Sequence, residues 1–251
     1  MIAIILTMFA LGIVLGFVGA GGSGFIIALL TVLFGFSIHT ASGTALAAMV
    51  FSTLSGALSH FRARRVAILP GLTMGAFGAL GSFYTSRVAV HIRGSDLKVM
   101  IASILFLSAV VMFIRLIFLQ RNQSGSHLTL PTRTRSFWIK CGWIGLGAGA
   151  ISGMFGIGAA PFIQLGLIIG LGVPLALVPG TTMLVIMPTA LAGAVGYYHA
   201  GDLDLRLLAE VVTGTVLGTF LGAGFTRRLP QGILKTAMIL IPIIGGTILL
   251  L

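Results

Sequence analysis

Two glycine clusters hold the residues most able to do chemistry in this chain: Gly19, Gly22, Ser23 and Gly24, then Gly153, Gly156 and Gly158. Closely spaced glycines disrupt a helix, and a break frees backbone N–H groups that would otherwise be bonded within it. Freed amides at a helix start attract anionic groups. Hydroxyl residues begin the apolar segments that follow: Ser42 and Thr44 after the first cluster, Thr181 and Thr182 after the second. Such hydroxyls either cap helices or donate to the oxygens of a ligand. Gln164, six residues beyond Gly158, is a polar residue in an apolar stretch and a further candidate. Together these types suit recognition of a small anion by dipoles. The structural alternative is that the glycines only allow close helix contact, as small-xxx-small spacing at Gly12/Gly16, Gly71/Gly75 and Gly214/Gly218/Gly222 suggests.

Other chemistries are poorly served. Residues 19–24, GAGGSG, satisfy the dinucleotide pattern G-x-G-x-x-G literally, but no acid precedes Asp96 and none stands about 20 residues on. No zinc-protease motif, cysteine–histidine metal set or pair of carboxylates inside an apolar segment is present, which argues against an enzyme and against a bound metal or cofactor. Cys141 is the single cysteine, so no intrachain disulfide can form. Glu210 lies within an apolar segment and is a candidate for ion coupling; Arg206, four residues earlier, is a candidate partner on the same helix face. His60 and His199 sit at segment ends and are either interfacial residues or carriers of a coupling proton.

The elements that position these residues belong in a membrane. Met1–Phe61 and Cys141–Gly201 are each 61 residues without Lys, Arg, Asp or Glu, and charged residues make up 8% of the 251. Soluble domains carry roughly 25%. Apolar segments lie near 2–36, 41–60, 66–90, 97–119, 137–172, 175–199, 203–226 and 233–251. The fold class expected is all-α, a polytopic transmembrane helical bundle of about eight apolar segments. Residues 1–119 form a first repeat, 120–136 a polar linker and 137–251 a second repeat. Segments 2–36 and 137–172 are too long for one crossing, since 35 helical residues span ~52 Å against a ~30 Å hydrocarbon core. Each is read as two pieces broken at its glycine cluster. After Lys235 only 16 residues remain, ~24 Å of helix, which makes the last segment short for a span.

The halves match in order. Gly19, Gly22 and Gly24 correspond to Gly153, Gly156 and Gly158 at an offset of 134; Gly43-Thr44 and Gly56 correspond to Gly180-Thr181 and Gly193 at 137. The net charge of +11 comes from basic loops between apolar segments, which favours membrane orientation over nucleic-acid binding. If both long segments turn back at their glycines, loops 60–66, 115–140 and 226–235 share one side with 11 of the 15 basic residues. Each half then crosses an odd number of times, and the two repeats are inverted. Internal repeats of this kind place transport sites between the repeats near the bilayer midplane.

The ordered motifs GFVGAGGSG (16–24), SGTAL (42–46), SGMFGIGAAP (152–161), PGTTML (179–184) and HAGDLDLR (199–206) resemble the TauE/SafE family of sulfite exporters over nearly the whole chain. The resemblance implies a secondary transporter of small sulfur-containing anions such as sulfite, thiosulfate or sulfoacetate, in the inner membrane of a bacterium or archaeon. Partners would be the anion, the lipid bilayer and a coupling ion, H⁺ or Na⁺. Family clusters often read G-[IV]-G-G-G; here Ala159 and Ala160 follow Gly156-Ile157-Gly158. A passive anion channel and a non-transporting membrane scaffold remain the competing functions. In a sidedness map by single-cysteine labelling, positions in 60–66 and 226–235 are expected to react from the same side. Reaction from opposite sides would sink the inverted topology.

Overall fold

The computed structural model describes residues 2–18, 22–121, 134–226 and 231–251. Gly19, most of the 120–136 linker, and Arg227 and Arg228 lie outside the described residues. Among those described there are ten α-helices and no strand: α1 (Ile2–Val18), α2 (Ser23–Ala28), α3 (Ile38–Arg62), α4 (Ile68–Ala89), α5 (Gly94–Arg121), α6 (Arg135–Phe155), α7 (Ala160–Leu165), α8 (Val178–His199), α9 (Leu205–Thr226) and α10 (Gln231–Leu250). Eight apolar segments become ten helices because each long segment contains two, α1 with α2 and α6 with α7. The short helices α2 and α7 each run on into a π-helical turn, Leu29–Leu33 and Gly166–Gly170. The last segment is longer than its hydropathy suggests: α10 starts before Lys235 and its 20 residues span ~30 Å.

Local chemistry sets the ends. Ser37 caps α3 by accepting the Thr40 N–H at 3.1 Å. Asp204 caps α9, its Oδ1 accepting the amides of Arg206 (2.8 Å) and Leu207 (3.2 Å). Helix α6 stops at Gly156, which is left-handed at φ 72°.

The distribution of residue types is that of a protein whose solvent is lipid. Large apolar side chains such as Phe51, Leu80, Phe113, Trp143 and Leu217 are exposed, while many buried positions are small: Ala41, Ser42, Thr44, Ala45, Ser82, Ser152 and Thr182. Three helical stretches, Ile38–Arg62, Gly94–Arg115 and Val178–His199, are long and apolar enough to cross a bilayer.

Two seams of glycine join the helices. Along α4 and α6, a methyl group on Gly145 would lie 2.6 Å from the Met74 carbonyl oxygen, one on Gly149 would strike the Gly78 backbone, and one on Gly153 the Ser82 backbone. The steps of four residues on both sides mean the two helices run parallel. Along α1 and α9 the same occurs: a methyl on Gly12 would sit 2.7 Å from the Thr215 oxygen, and one on Gly214 2.6 Å from that of Ile5. Both seams link an N-terminal helix to a C-terminal one. Helices α3 and α8 instead run antiparallel. The Gly43 end of α3 meets Tyr197 and Asp202, and the His60 end meets Gly180.

Several helix boundaries recur at one interval. α4 and α9 start at Ile68 and Leu205, α2 and α7 at Ser23 and Ala160; α3 and α8 end at Arg62 and His199. Each interval is 137 residues. The left-handed glycines Gly35 and Gly172 keep the same spacing. By number, an interval of 137 pairs Gly156 with Gly19, and Ala160 and Pro161 with Ser23 and Gly24, whereas the glycine clusters taken alone pair at 134. Glycines three or four apart line one helix face, so a slip of about one turn produces nearly the same match.

The seam predicts a contrast between two glycines of one helix. Gly149→Ala should cost ~1–3 kcal/mol through overpacking against backbone. Gly147, with nothing within 4 Å of a built methyl, should accept alanine and gain up to ~1 kcal/mol of helix propensity. Thermal unfolding of the two variants in detergent checks this.

Candidate functional site

The break between α6 and α7 lies in the protein interior. Gly156, Ile157, Gly158, Ala159 and Ala160 are all buried. Three of them are left-handed: Gly156 (φ 72°), Gly158 (φ 65°) and Ala159 (φ 47°). Gly156 N–H still donates to the Ser152 carbonyl at 2.8 Å, and Ile163 N–H to that of Ala159 at 3.1 Å. Between them, the amides of Ile157, Gly158 and Ala159 donate to no protein group among the described residues. Successive amides around left-handed residues form a concave, electropositive backbone surface.

Helix α3 faces the break. A methyl on Gly156 would lie 2.8 Å from Ser42 Cβ and 3.0 Å from Ile27 Cδ1, and one on Gly158 2.7 Å from Met49 Sδ. From α8, Tyr197 donates its hydroxyl to the Met154 carbonyl in the last turn of α6, at 3.3 Å. Several hydroxyls around this region are buried yet unpartnered: Ser42, Thr44, Ser82 and Ser152. A buried, unpaired hydroxyl costs roughly 1–3 kcal/mol. Three unpaired amides and the Ser42 hydroxyl form a donor set able to face a small oxyanion.

The sequence candidates divide over the molecule. Gly156 and Gly158 form the break itself, with Ser42 and Met49 beside them. Thr44 is on α3 close by in sequence to Ser42, fully buried. Gly153 belongs to the α4–α6 seam and Gly24 packs on Leu105, so contact geometry places both in helix packing. Gly22 precedes α2 and Ser23 opens it, with its hydroxyl buried and unpartnered. Gln164, on α7, has a buried and unpartnered Oε1.

Thr181 and Thr182 are elsewhere. Their hydroxyls donate to the Leu177 (2.7 Å) and Val178 (2.8 Å) carbonyls. Neighbouring Gly180 abuts His60, 16 residues along α3 from Thr44, or ~24 Å of helix. One small ligand does not reach both Thr44 and Thr181. His60 packs at that far end, and His199 is exposed at the end of α8 beside Tyr198. Glu210 is buried on α9, with Arg206 Nε 3.9 Å from its Oε1, which is the expected pairing one turn apart. Among the described residues, no three His, Cys, Asp or Glu side chains gather to hold a metal.

Sequence reading passed over Met49, Tyr197, Ser82 and Ser152. Their types signal nothing alone; antiparallel α3–α8 packing brings Met49 and Tyr197 to the break.

A sequence profile described as "Sulfite exporter TauE/SafE" matches residues 4–249. The chain belongs to the TauE/SafE family. It is an integral membrane protein. It is 48% identical over 247 residues to "Probable membrane transporter protein YdhB" of Bacillus subtilis (strain 168), covering 98% of this chain and 99% of that protein. It is 24% identical over 218 residues to "Probable membrane transporter protein" of Xylella fastidiosa (strain 9a5c), covering 86% and 81%. With "Probable membrane transporter protein YjnA" of Bacillus subtilis (strain 168) it shares 23% identity over 256 aligned positions, 98% of each chain. No solved structure matches.

The left-handed backbone of Ala159 disfavours its Cβ by roughly 1–2 kcal/mol. Ala159→Gly should relieve that strain, partly offset by the greater flexibility of glycine in the unfolded chain. A net stabilisation of ~0.5–1 kcal/mol is expected, read as a raised unfolding temperature in detergent. An unchanged or lowered temperature would refute strain at this residue.

Proposed function

We propose that this protein is a secondary transporter of a small sulfur-containing anion, of the sulfite, thiosulfate or sulfoacetate class, in a prokaryotic inner membrane. The observation that carries the reading is the buried α6–α7 break, where three unpaired amides lie beside the unpartnered hydroxyl of Ser42. In a low-dielectric interior such dipoles bind an oxyanion well. With no Lys or Arg within the break, binding stays weak enough for release.

The movement proposed is alternating access between two inverted repeats, residues 1–119 and 137–251. Its support is the 137-residue interval of the helix boundaries and the antiparallel course of the corresponding helices α3 and α8. The seams α1–α9 and α4–α6 likewise exchange under that correspondence. Such repeats rock about a site near the bilayer midplane. Gly19, Gly22 and Ser23 would supply the counterpart of the α6–α7 break, with Gln164 as an added polar contact; Glu210, His60 and His199 are the candidates for H⁺ coupling, and Na⁺ is the alternative ion.

Uptake of labelled sulfite, thiosulfate, sulfoacetate and a sulfur-free carboxylate into proteoliposomes tests the function, under imposed pH or Na⁺ gradients. Saturable, gradient-dependent flux of a sulfur oxyanion with counter-exchange is expected. Ser42→Ala removes one donor without adding bulk and should weaken binding roughly tenfold, as loss of one charge-assisted hydrogen bond does. Flux that neither saturates nor exchanges indicates a channel. An unchanged KM in Ser42→Ala removes this hydroxyl from the site.

A further inference from the structure

The two ends of the α3–α8 pair are built from the same parts. At one end Arg65 N–H donates to the His60 carbonyl at 2.9 Å, Arg64 is left-handed at φ 54°, and the Arg65 oxygen abuts Gly180. At the other end Asp202 N–H donates to the Tyr197 carbonyl at 3.0 Å, and Gly201 is left-handed at φ 82°. There the Asp202 oxygen would lie 3.0 Å from a methyl on Gly43. Every one of these pairs is 137 residues apart.

One bond breaks the match. Ala67 N–H donates to Thr181 Oγ1 at 2.9 Å, tying the start of α4 to α8. The corresponding groups at the other end are Asp204 N–H and Thr44 Oγ1. Asp204 is exposed, and its amide donates to no group among the described residues. Thr44 Oγ1 is buried without a partner. Ala67, by contrast, is buried. One end is drawn shut and the other is not.

Sequence explains part of the difference. Asp204 caps α9 with its own carboxylate, whereas Ala67 has no side chain to cap α4. That leaves the Thr44 hydroxyl unaccounted for. Thr53, Thr73, Thr181 and Thr182 all donate to a carbonyl one turn back on their own helices. Thr44 does not, although nothing prevents a threonine in a helix from doing so. Its hydroxyl is left without a partner, so its acceptor lone pairs are free for the Asp204 amide.

We infer that Thr181–Ala67 and Thr44–Asp204 are two latches of one gate, closed in alternation, and that this structure has the first closed and the second open. The inference rests on the alternating-access reading and adds the residues that hold each end state. Under the predicted sidedness, the closed latch lies on the side of the basic loop 60–66. Opening it leaves the Thr181 hydroxyl bonded, because it donates to the Leu177 carbonyl at 2.7 Å.

Hydrogen exchange followed by mass spectrometry on the full chain in lipid nanodiscs tests this without any substrate. A peptide spanning 63–70 should exchange more slowly than one spanning 200–207. Thr181→Val should speed exchange at 63–70 by about tenfold, as loss of one buried hydrogen bond does, and at the same time slow it at 200–207. Thr181→Ser, which keeps the hydroxyl, should behave as the parent chain. Faster exchange at 63–70 with none of the reciprocal change would overturn the inference, leaving a fixed local cap. If Thr181→Val does not fold, Thr44→Val decides: protection at 63–70 should persist or rise, and a fall there overturns the latch pair. Because exchange needs no transported anion, a failed uptake assay and a failed latch are separate results.

Discussion

Close backbone contact along the two glycine seams is the constraint on which the rest of this structure depends. Between helices in lipid there is no hydrophobic driving force, so association relies on packing that only small residues permit. Gly145, Gly149 and Gly153 bring α6 onto the backbone of α4; Gly12, Gly214 and Gly218 do the same for α1 and α9. Both seams join the N-terminal half to the C-terminal half. The halves are therefore interleaved, and neither could bury its broken helix alone. The α6–α7 break stays inside because α6 is fixed by its seam up to Gly153, three residues before the chain turns left-handed at Gly156.

Burial makes the break costly and useful for the same reason. Non-helical backbone at membrane depth survives only within protein or along a cavity, since lipid offers it no partner. The three unpaired amides and the unpartnered Ser42 hydroxyl are groups that a purely structural core would have satisfied. Ala159 adds a left-handed residue with a side chain. Such strain persists where surrounding structure fixes it and often marks functional positions. The left-handed residues and unpaired amides concentrate at this one place.

The sequence made the all-helical architecture and the membrane setting legible, because charge-free runs and glycine punctuation are local signals. It also made the broken first segments legible, since their length exceeds a crossing. The register between the halves was not: a slip of about one helical turn gives nearly the same glycine pattern, and only helix boundaries separate 134 from 137. Convergence was harder still. Thr44 and Thr181 occupy corresponding positions and look like two arms of one site. In an antiparallel pair, however, corresponding residues lie at opposite ends. Gly153 looked like part of a binding cluster because its role depends on Ser82 of α4, 71 positions away. A glycine in a membrane helix reads alike whether it faces a neighbouring backbone or a ligand, so its role is decided by what lies opposite it.

The contrast between seams bears on movement. At α4–α6 and α1–α9, carbonyls and Cα atoms of one helix face glycines of the other, and any shift creates collisions between backbones. Along the middle of α3–α8 the glycines face side chains, Gly56 meeting Met183 and Gly193 meeting Leu46 and the Ser82 hydroxyl of α4; backbone approaches only at the two ends, Asp202 at Gly43 and Arg65 at Gly180. Methionine and leucine can change rotamer and fill a displaced gap, which a backbone cannot do. Gly158 at the break likewise meets the thioether of Met49. A rocking motion of the proposed kind needs rigid units separated by a surface that can repack. The glycine seams supply the units, α1 with α9 and α4 with α6. The side-chain-lined α3–α8 contact, with one small hydroxyl at each end, supplies the surface between them.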